Sequence, residues 1–417
     1  MSKSTRILIG PLFLFSPIIS FLVALTNIRS KSSMFVYLAF SMLFGYAISF
    51  SDTSADSYRY ALVFNDFINS SSSFNFIIQS FTEGSLRDVY RYILYYFVSL
   101  FSENPKVMYA FAGLIYGYFS YKSLMIYMKI KGQSFDKFTI ILGVIFYTYI
   151  SLSNVNGFRF NTGGLVLFCS VYYFFIENKN KWFLGILITP FFHYGFLLVL
   201  PILIIMKFLH NKLYNFKGIK NILILTFIFS FFLSFILSTN FINISFLTEP
   251  IGLDSAIGAR LDYINSDYIT DLVNKRSSNS IFLTTQKYFL ITIKIYLFIS
   301  VLKLNNFFNK RNIKFSKKNM KLFSFVIMFL SFCFIAESIP SGGRFMNFAY
   351  LFYVLFLLQL FNTYKILLVK KVILFSLPGF IFQILFTNVM LPVLILSPTF
   401  WYGTFFGVII EGLNFQL

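Results

Sequence analysis

Charge is what this sequence has least of. Only 12% of its 417 residues are Asp, Glu, Lys or Arg, where a soluble domain carries about 25%. Acids are the scarcer sign, 15 against 35 Lys and Arg, for a formal net charge of +20. Cysteine occurs twice, as Cys169 and Cys333, each inside an apolar run. Both read as small buried hydrophobes, not as a disulfide or a thiolate metal site. Histidine also occurs twice, and no cluster of ligand-type residues has the spacing of a metal centre. There is no glycine-rich phosphate loop and no nucleophile elbow. Cytosolic nucleotide chemistry therefore has no support.

What is abundant is apolar side chain. Hydrophobic residues make up 57% and aromatics 22%, and mean hydropathy is +0.74. A water-facing surface has no room for that much apolar area. The bilayer removes the difficulty, because a span needs roughly 20 mostly apolar residues. Candidate spans lie at approximately 6–26, 34–50, 107–128, 138–152, 160–176, 182–191, 193–206, 219–239, 286–304, 321–337, 345–361, 370–388 and 391–410. The pair 182–191 and 193–206, around Pro190 and His193, reads either as a re-entrant hairpin or as one broken helix. The expectation is an all-α polytopic bundle of about 11 to 13 spans. The first run, 7–26, is too long for a signal-peptide core and reads as a span loosened by Pro11 and Pro17.

Short basic loops at 27–33, 129–137, 177–181, 207–220, 303–321 and 364–371 alternate with Lys-poor segments at 51–106, 153–159, 240–285 and 338–344. This positive-inside pattern puts the basic loops in the cytoplasm. It accounts for the net charge through membrane lipids, without nucleic acid. The 89–102 stretch begins with Arg87, Asp88 and Arg91 nearby and reads as an interfacial helix. That choice keeps 51–106 outside as one large loop, with 240–285 as the second. It also puts the N-terminus outside, against the preference of Lys3 and Arg6. No internal repeat of the transporter kind is seen.

The polar residues of interest lie in the outside segments. In 51–60, Asp52 is a candidate cap for the adjoining helix, and Asp56 and Arg59 share a face three residues apart. Arg159 opens a span on the side where cations are disfavoured, so it faces either a polar cavity or a lipid phosphate. His193 sits between two apolar runs as a base, a donor or a packing residue. Glu337 and Arg344 flank a Gly342-Gly343 turn, either as a helix-tying pair or as site residues. Arg260, in the 240–285 loop, is a further cation. Several arginines on one side suit an anionic ligand, since guanidinium binds phosphate through a bidentate fork.

In these motifs the chain resembles the O-antigen polymerase (Wzy) family, in particular its EpsG-like branch. The resemblance runs through Asp56, Tyr58 and Tyr60 after the second span, Arg159 in Gly-Phe-Arg-Phe-Asn, His193 in Phe-His-Tyr-Gly, and Arg344 in Gly-Gly-Arg-Phe-Met-Asn-Phe. It departs in the Asp–Tyr spacing and in the Phe after Arg159. The resemblance implies a fold similar to the multispan C-type glycosyltransferases. It also implies an enzyme in the bacterial inner membrane that joins undecaprenyl-diphosphate-linked oligosaccharides at the periplasmic face. No metal or other cofactor is implied, and a polysaccharide chain-length regulator (Wzz-type) is a candidate partner. On this reading Arg159 and Arg344 hold the diphosphate with His193 assisting. Asp52 or Asp56 is the base, oriented by Arg59, with Glu337 as the rival base. A lipid-linked oligosaccharide flippase and an O-antigen ligase are the alternatives.

Overall fold

The computed structural model describes residues 3–52, 55–70, 73–83, 88–132, 136–213, 217–237, 281–311, 315–338, 342–364 and 367–415. These residues are almost entirely helical, and no strand occurs among them. The helices are α1 (Lys3–Phe15), α2 (Pro17–Thr26), α3 (Lys31–Tyr46), α4 (Asp56–Asn69), α5 (Phe74–Thr82), α6 (Val89–Ser99), α7 (Pro105–Lys131), α8 (Lys137–Tyr149) and α9 (Phe158–Val171). After them come α10 (Phe183–Phe192), α11 (Leu200–Leu213), α12 (Lys217–Leu237), α13 (Ile281–Lys310), α14 (Lys317–Ala336), α15 (Phe345–Tyr364) and α16 (Leu367–Leu385). Two short helices, Leu391–Ile395 and Thr399–Tyr402, precede α17 (Phe405–Leu413). Five segments are long and apolar enough to cross a membrane: Lys137–Ile176, Tyr288–Lys310, Lys317–Ala336, Gly342–Tyr364 and Leu367–Ile395. Pro17–Thr26, Tyr194–Phe208 and Lys220–Ile236 are shorter apolar helices. The chain is thus a membrane-embedded helical bundle.

Close backbone approach organises its centre. A Cβ on Gly45 would lie 2.1 Å from the Tyr109 carbonyl oxygen, and one on Gly113 2.3 Å from that of Ser41. Small residues therefore let α3 and α7 touch along a seam, where dispersion replaces the hydrophobic effect as the force between helices in lipid. Tyr37 and Ser120 hydrogen-bond across that seam at 2.7 Å.

Hydrogen bonds, and for the last loop Lys370 on the Phe138 ring at 5.2 Å, gather the six basic loops at one end of the bundle. Arg29 donates to the carbonyls of Met128 and Gly132. Glu177 accepts from Lys129 and from Lys318. Lys220 donates to Asn309, and Asn362 to the Ile130 carbonyl. The expected alternation of loops is therefore matched in space: α7, α9 and α15 begin at the far end and finish at the basic one.

Against the 11 to 13 spans expected, five segments have the length and apolarity of a crossing, and two of the expected runs take other forms. The 6–26 run is not a single straight span, because Ser20 Oγ donates to the Ile9 carbonyl at 2.8 Å. Eleven residues of unbroken helix would hold those positions about 16 Å apart. The chain doubles back at Ser16, where Pro17 starts the second helix, so one crossing no longer separates Lys3 and Arg6 from the 27–33 loop. The 391–410 run also breaks. Leu391–Ile395 continues α16 through a π turn, then Leu396 goes extended and bridges Ile48. Pro398 and Gly403 interrupt the helix between them and α17. For the pair 182–191 and 193–206, the hairpin of the two expected readings is the one that forms, with α10 and α11 folding back and His193 at the tip. Lys207 on α11 lies 5.2 Å from the Phe183 ring at the start of α10, so the second helix returns to the level of the first.

Candidate functional site

The 51–106 segment builds one wall of the end opposite the basic loops. Its helices α4, α5 and α6 have 14, 9 and 11 residues, each shorter than the roughly 20 needed to cross the hydrocarbon. Helix α4 docks on the 3₁₀ turn Leu152–Gly157, where Asn156 Oδ1 accepts from the Ser57 amide at 3.1 Å. Helix α6 joins through Tyr95, whose hydroxyl donates to the Tyr60 carbonyl at 2.9 Å. The N-cap position of α4 is Ala55, not Asp52, and Asp56 falls in its first turn. Asp56 pairs with Arg59. The Asp56 carboxylate also faces the start of α9, because a Cβ on Gly157 would be 3.6 Å from Asp56 Oδ2.

Arg159 opens α9 and points into this wall. Nε and Nη2 both donate to the Tyr60 hydroxyl, at 2.9 and 2.7 Å. Nη1 forms an ion pair with Asp88, whose side chain is 3% exposed. The Tyr60 phenol is pushed up by burial, against the pull of the Arg159 charge. It stays protonated, so it accepts from Arg159 and keeps its own proton to donate.

Asp88 is the residue that sequence reasoning passed over. It stands at the N-cap of α6. One carboxylate oxygen takes Arg159, and the other accepts from the Tyr194 amide at 3.1 Å. The Arg159 helix and the His193 hairpin are thereby tied to a single carboxylate. Its only signal in the sequence was an acid just ahead of a tyrosine-rich helix, which alone reads as a cap.

His193 sits in extended backbone, φ −156° and ψ 124°. Its Nδ1 accepts from the Gly195 amide at 3.1 Å. A neutral ring in that arrangement carries its proton on Nε2 and acts as a donor, not as a base through that atom. The ring meets Phe160 edge-on at 5.1 Å, and Phe160 in turn meets Phe345 at 5.2 Å. Phe345 follows Arg344, which is exposed and makes no ion pair or side-chain hydrogen bond among the described residues. The segments carrying Arg159, His193 and Arg344 therefore converge around one phenylalanine.

Other expected partners rearrange. Glu337 pairs with Lys294 of α13 and not with Arg344. Lys294 is buried and also faces the rings of Phe235 and Phe334, at 4.8 and 5.5 Å. Tyr58 is half-buried against the core, beside Tyr60 in sequence but without its guanidinium contact. Arg260 lies outside the described residues, as does most of the 240–285 loop.

Fold and site together define a membrane-embedded helical bundle with a cationic, tyrosine-rich cluster at the end away from its basic loops. No protein-family model matches the chain, and no curated protein or solved structure does either.

Proposed function

We propose that the chain is a metal-independent glycosyltransferase of the surface-polysaccharide polymerase class, of the O-antigen (Wzy) kind. It would join oligosaccharide units carried on undecaprenyl diphosphate at the periplasmic face of a bacterial inner membrane. The observation that carries this reading is the meeting of the Arg159, His193 and Arg344 segments around Phe160, away from the basic loops.

In such a transfer the acceptor hydroxyl attacks the anomeric carbon of the donor unit. The bond from that carbon to the diphosphate oxygen breaks, and the hydroxyl proton passes to a base. Negative charge collects on the departing diphosphate, where preplaced donors stabilise it. Arg344, exposed and without a carboxylate among the described residues, meets that charge. His193 contributes its Nε2–H. Arg159 is a positioning residue, since Asp88 and Tyr60 occupy its fork. Asp56, kept in place by Arg59, is the base, and Glu337, held by Lys294, is its rival. The bundle's apolar sides take the polyprenyl tail.

Polysaccharide length in a cell lacking its own polymerase tests the reading. The native chain restores ladders on gels, and Arg344→Ala and His193→Ala give single-unit products. Full ladders from both variants would sink the site. Lipid-linked units trapped on the cytoplasmic side would mark a flippase instead.

A further inference from the structure

Two guanidinium groups share the Tyr60 ring. Arg159 lies 4.6 Å from its centroid and Arg91, on α6, lies 5.9 Å from it. Arg59 belongs to the same wall, next to Tyr60 on α4. Two of these three cations have a carboxylate partner among the described residues. Asp56 takes Arg59, and Asp88 gives one oxygen to Arg159 and the other to the Tyr194 amide. Arg91 forms no ion pair among the described residues.

Aromatic rings hold Arg91 in place of a counter-charge. Its guanidinium carbon is 4.6 Å from the Tyr92 ring and 5.9 Å from that of Tyr95. Nη2 donates to the Tyr92 hydroxyl at 2.8 Å. Nε is buried and makes no hydrogen bond among the described residues. Ring faces attract the cation, but they do not neutralise it. A half-buried guanidinium held in this way suits an anion with paired oxygens, and phosphate is the anion whose geometry matches the fork. The nearby Tyr60 hydroxyl, which keeps its proton, adds a neutral donor.

We propose that Arg91 is an anion-binding residue that takes a phosphate carried on a lipid. The occupant is either the diphosphate of a polyprenyl carrier or the phosphate of a membrane phospholipid. Only the choice of the diphosphate rests on the proposed function; the phosphate site stands on a ring-held Arg91 with no ion pair among the described residues.

The test is equilibrium binding to the full chain in detergent micelles, with inorganic diphosphate, farnesyl diphosphate and phosphatidylglycerol as probes. Arg91→Gln is expected to weaken binding of the first two about tenfold, the loss of one charge-assisted contact. Arg91→Lys, which keeps the charge and loses the fork, recovers part of it. Lys371→Gln, at the exposed basic end, leaves the affinities for inorganic and farnesyl diphosphate unchanged. A loss confined to phosphatidylglycerol assigns the site to a membrane phospholipid; the phosphate proposal then stands and the polymerase reading gains nothing. Unchanged affinity for all three probes in folded Arg91→Gln overturns it. Should that variant not fold, Arg91→Lys decides on the same scale, with unchanged affinities again overturning the proposal.

Discussion

Removing Asp88 should cost more than any other single carboxylate deletion in the described residues, and the cost should depend on Arg159. The Asp88 side chain is 3% exposed and that of Arg159 is 19% exposed. Breaking a buried pair by deleting one partner costs about 3–5 kcal/mol, because the remaining charge has no counter-ion. The partial exposure of Arg159 puts Asp88→Ala near the lower end, about 3 kcal/mol for the charge alone. The stranded Tyr194 amide adds about 1–3 kcal/mol. Asp88→Asn keeps an oxygen for that amide and loses only the charge, so it should fall between wild type and Asp88→Ala. Arg159→Met removes the orphaned guanidinium. The double variant Asp88→Ala/Arg159→Met should therefore be more stable than the sum of its singles by about 2–3 kcal/mol. Denaturant unfolding in mixed micelles, followed by tyrosine and tryptophan fluorescence, gives the four free energies of the cycle. Additivity to within about 0.5 kcal/mol would refute the coupling. The claim that Arg159 acts through Asp88 would fall with it.

The Lys294–Glu337 pair should respond unequally to the loss of each partner, because Lys294 is 6% exposed and Glu337 is 38% exposed. Glu337→Gln strands a buried ammonium, whereas Lys294→Met leaves a carboxylate that reaches water. The first is expected to destabilise more by about 1–2 kcal/mol in the same unfolding assay. At the basic end, burial would raise the Glu177 carboxyl, but hydrogen bonds from Lys129, Lys318 and Tyr172 outweigh it and hold the group at about 2. A depressed carboxyl stabilises the fold above its unfolded pKa, and that stability is lost as pH falls from about 4.5 towards 2. Melting temperature against pH should therefore drop across that window in the wild type and less steeply in Glu177→Gln. Gly164→Ala would place a Cβ 1.7 Å from the Phe348 ring. It should cost about 1–3 kcal/mol by overpacking, with recovery in Gly164→Ala/Phe348→Leu, read as melting temperature and monodispersity in detergent.

Local rules made much of this molecule legible. The short basic loops predicted one charged end, because lysines near span ends follow membrane polarity whatever their partners, and hydrogen bonds such as Arg29 to Met128 bring them together. The break at His193 was also visible, since two apolar runs too short to be ordinary spans met there. Whether it was a hairpin or a kink was not, because that depends on Lys207 returning to Phe183. The doubling back at Ser16 was hidden for a similar reason. Hydropathy counts apolar residues and is blind to their direction, so Pro11 and Pro17 looked like flaws in one span.

Pairing at the site was the least legible feature, and it changes which cations are available. Arg159 and Asp88 are 71 residues apart in the chain, and no periodicity links an N-cap acid to a helix-opening arginine. Read in sequence, Arg159 and Arg344 are equivalent diphosphate ligands, with Arg59 beside Asp56. In the fold, Arg59 and Arg159 are each matched to a carboxylate, and Glu337 has gone to Lys294. That leaves Arg344, and beside the paired groups it leaves Arg91, which had looked like ballast at the start of an interfacial helix. An anion is drawn to the charge remaining after internal pairing, not to the charge a segment displays. On the proposed function, the cations that would decide ligand binding are those for which the described fold supplies no acid. In a chain this poor in Asp and Glu, a few acids placed by the packing of α6 and α14 select them.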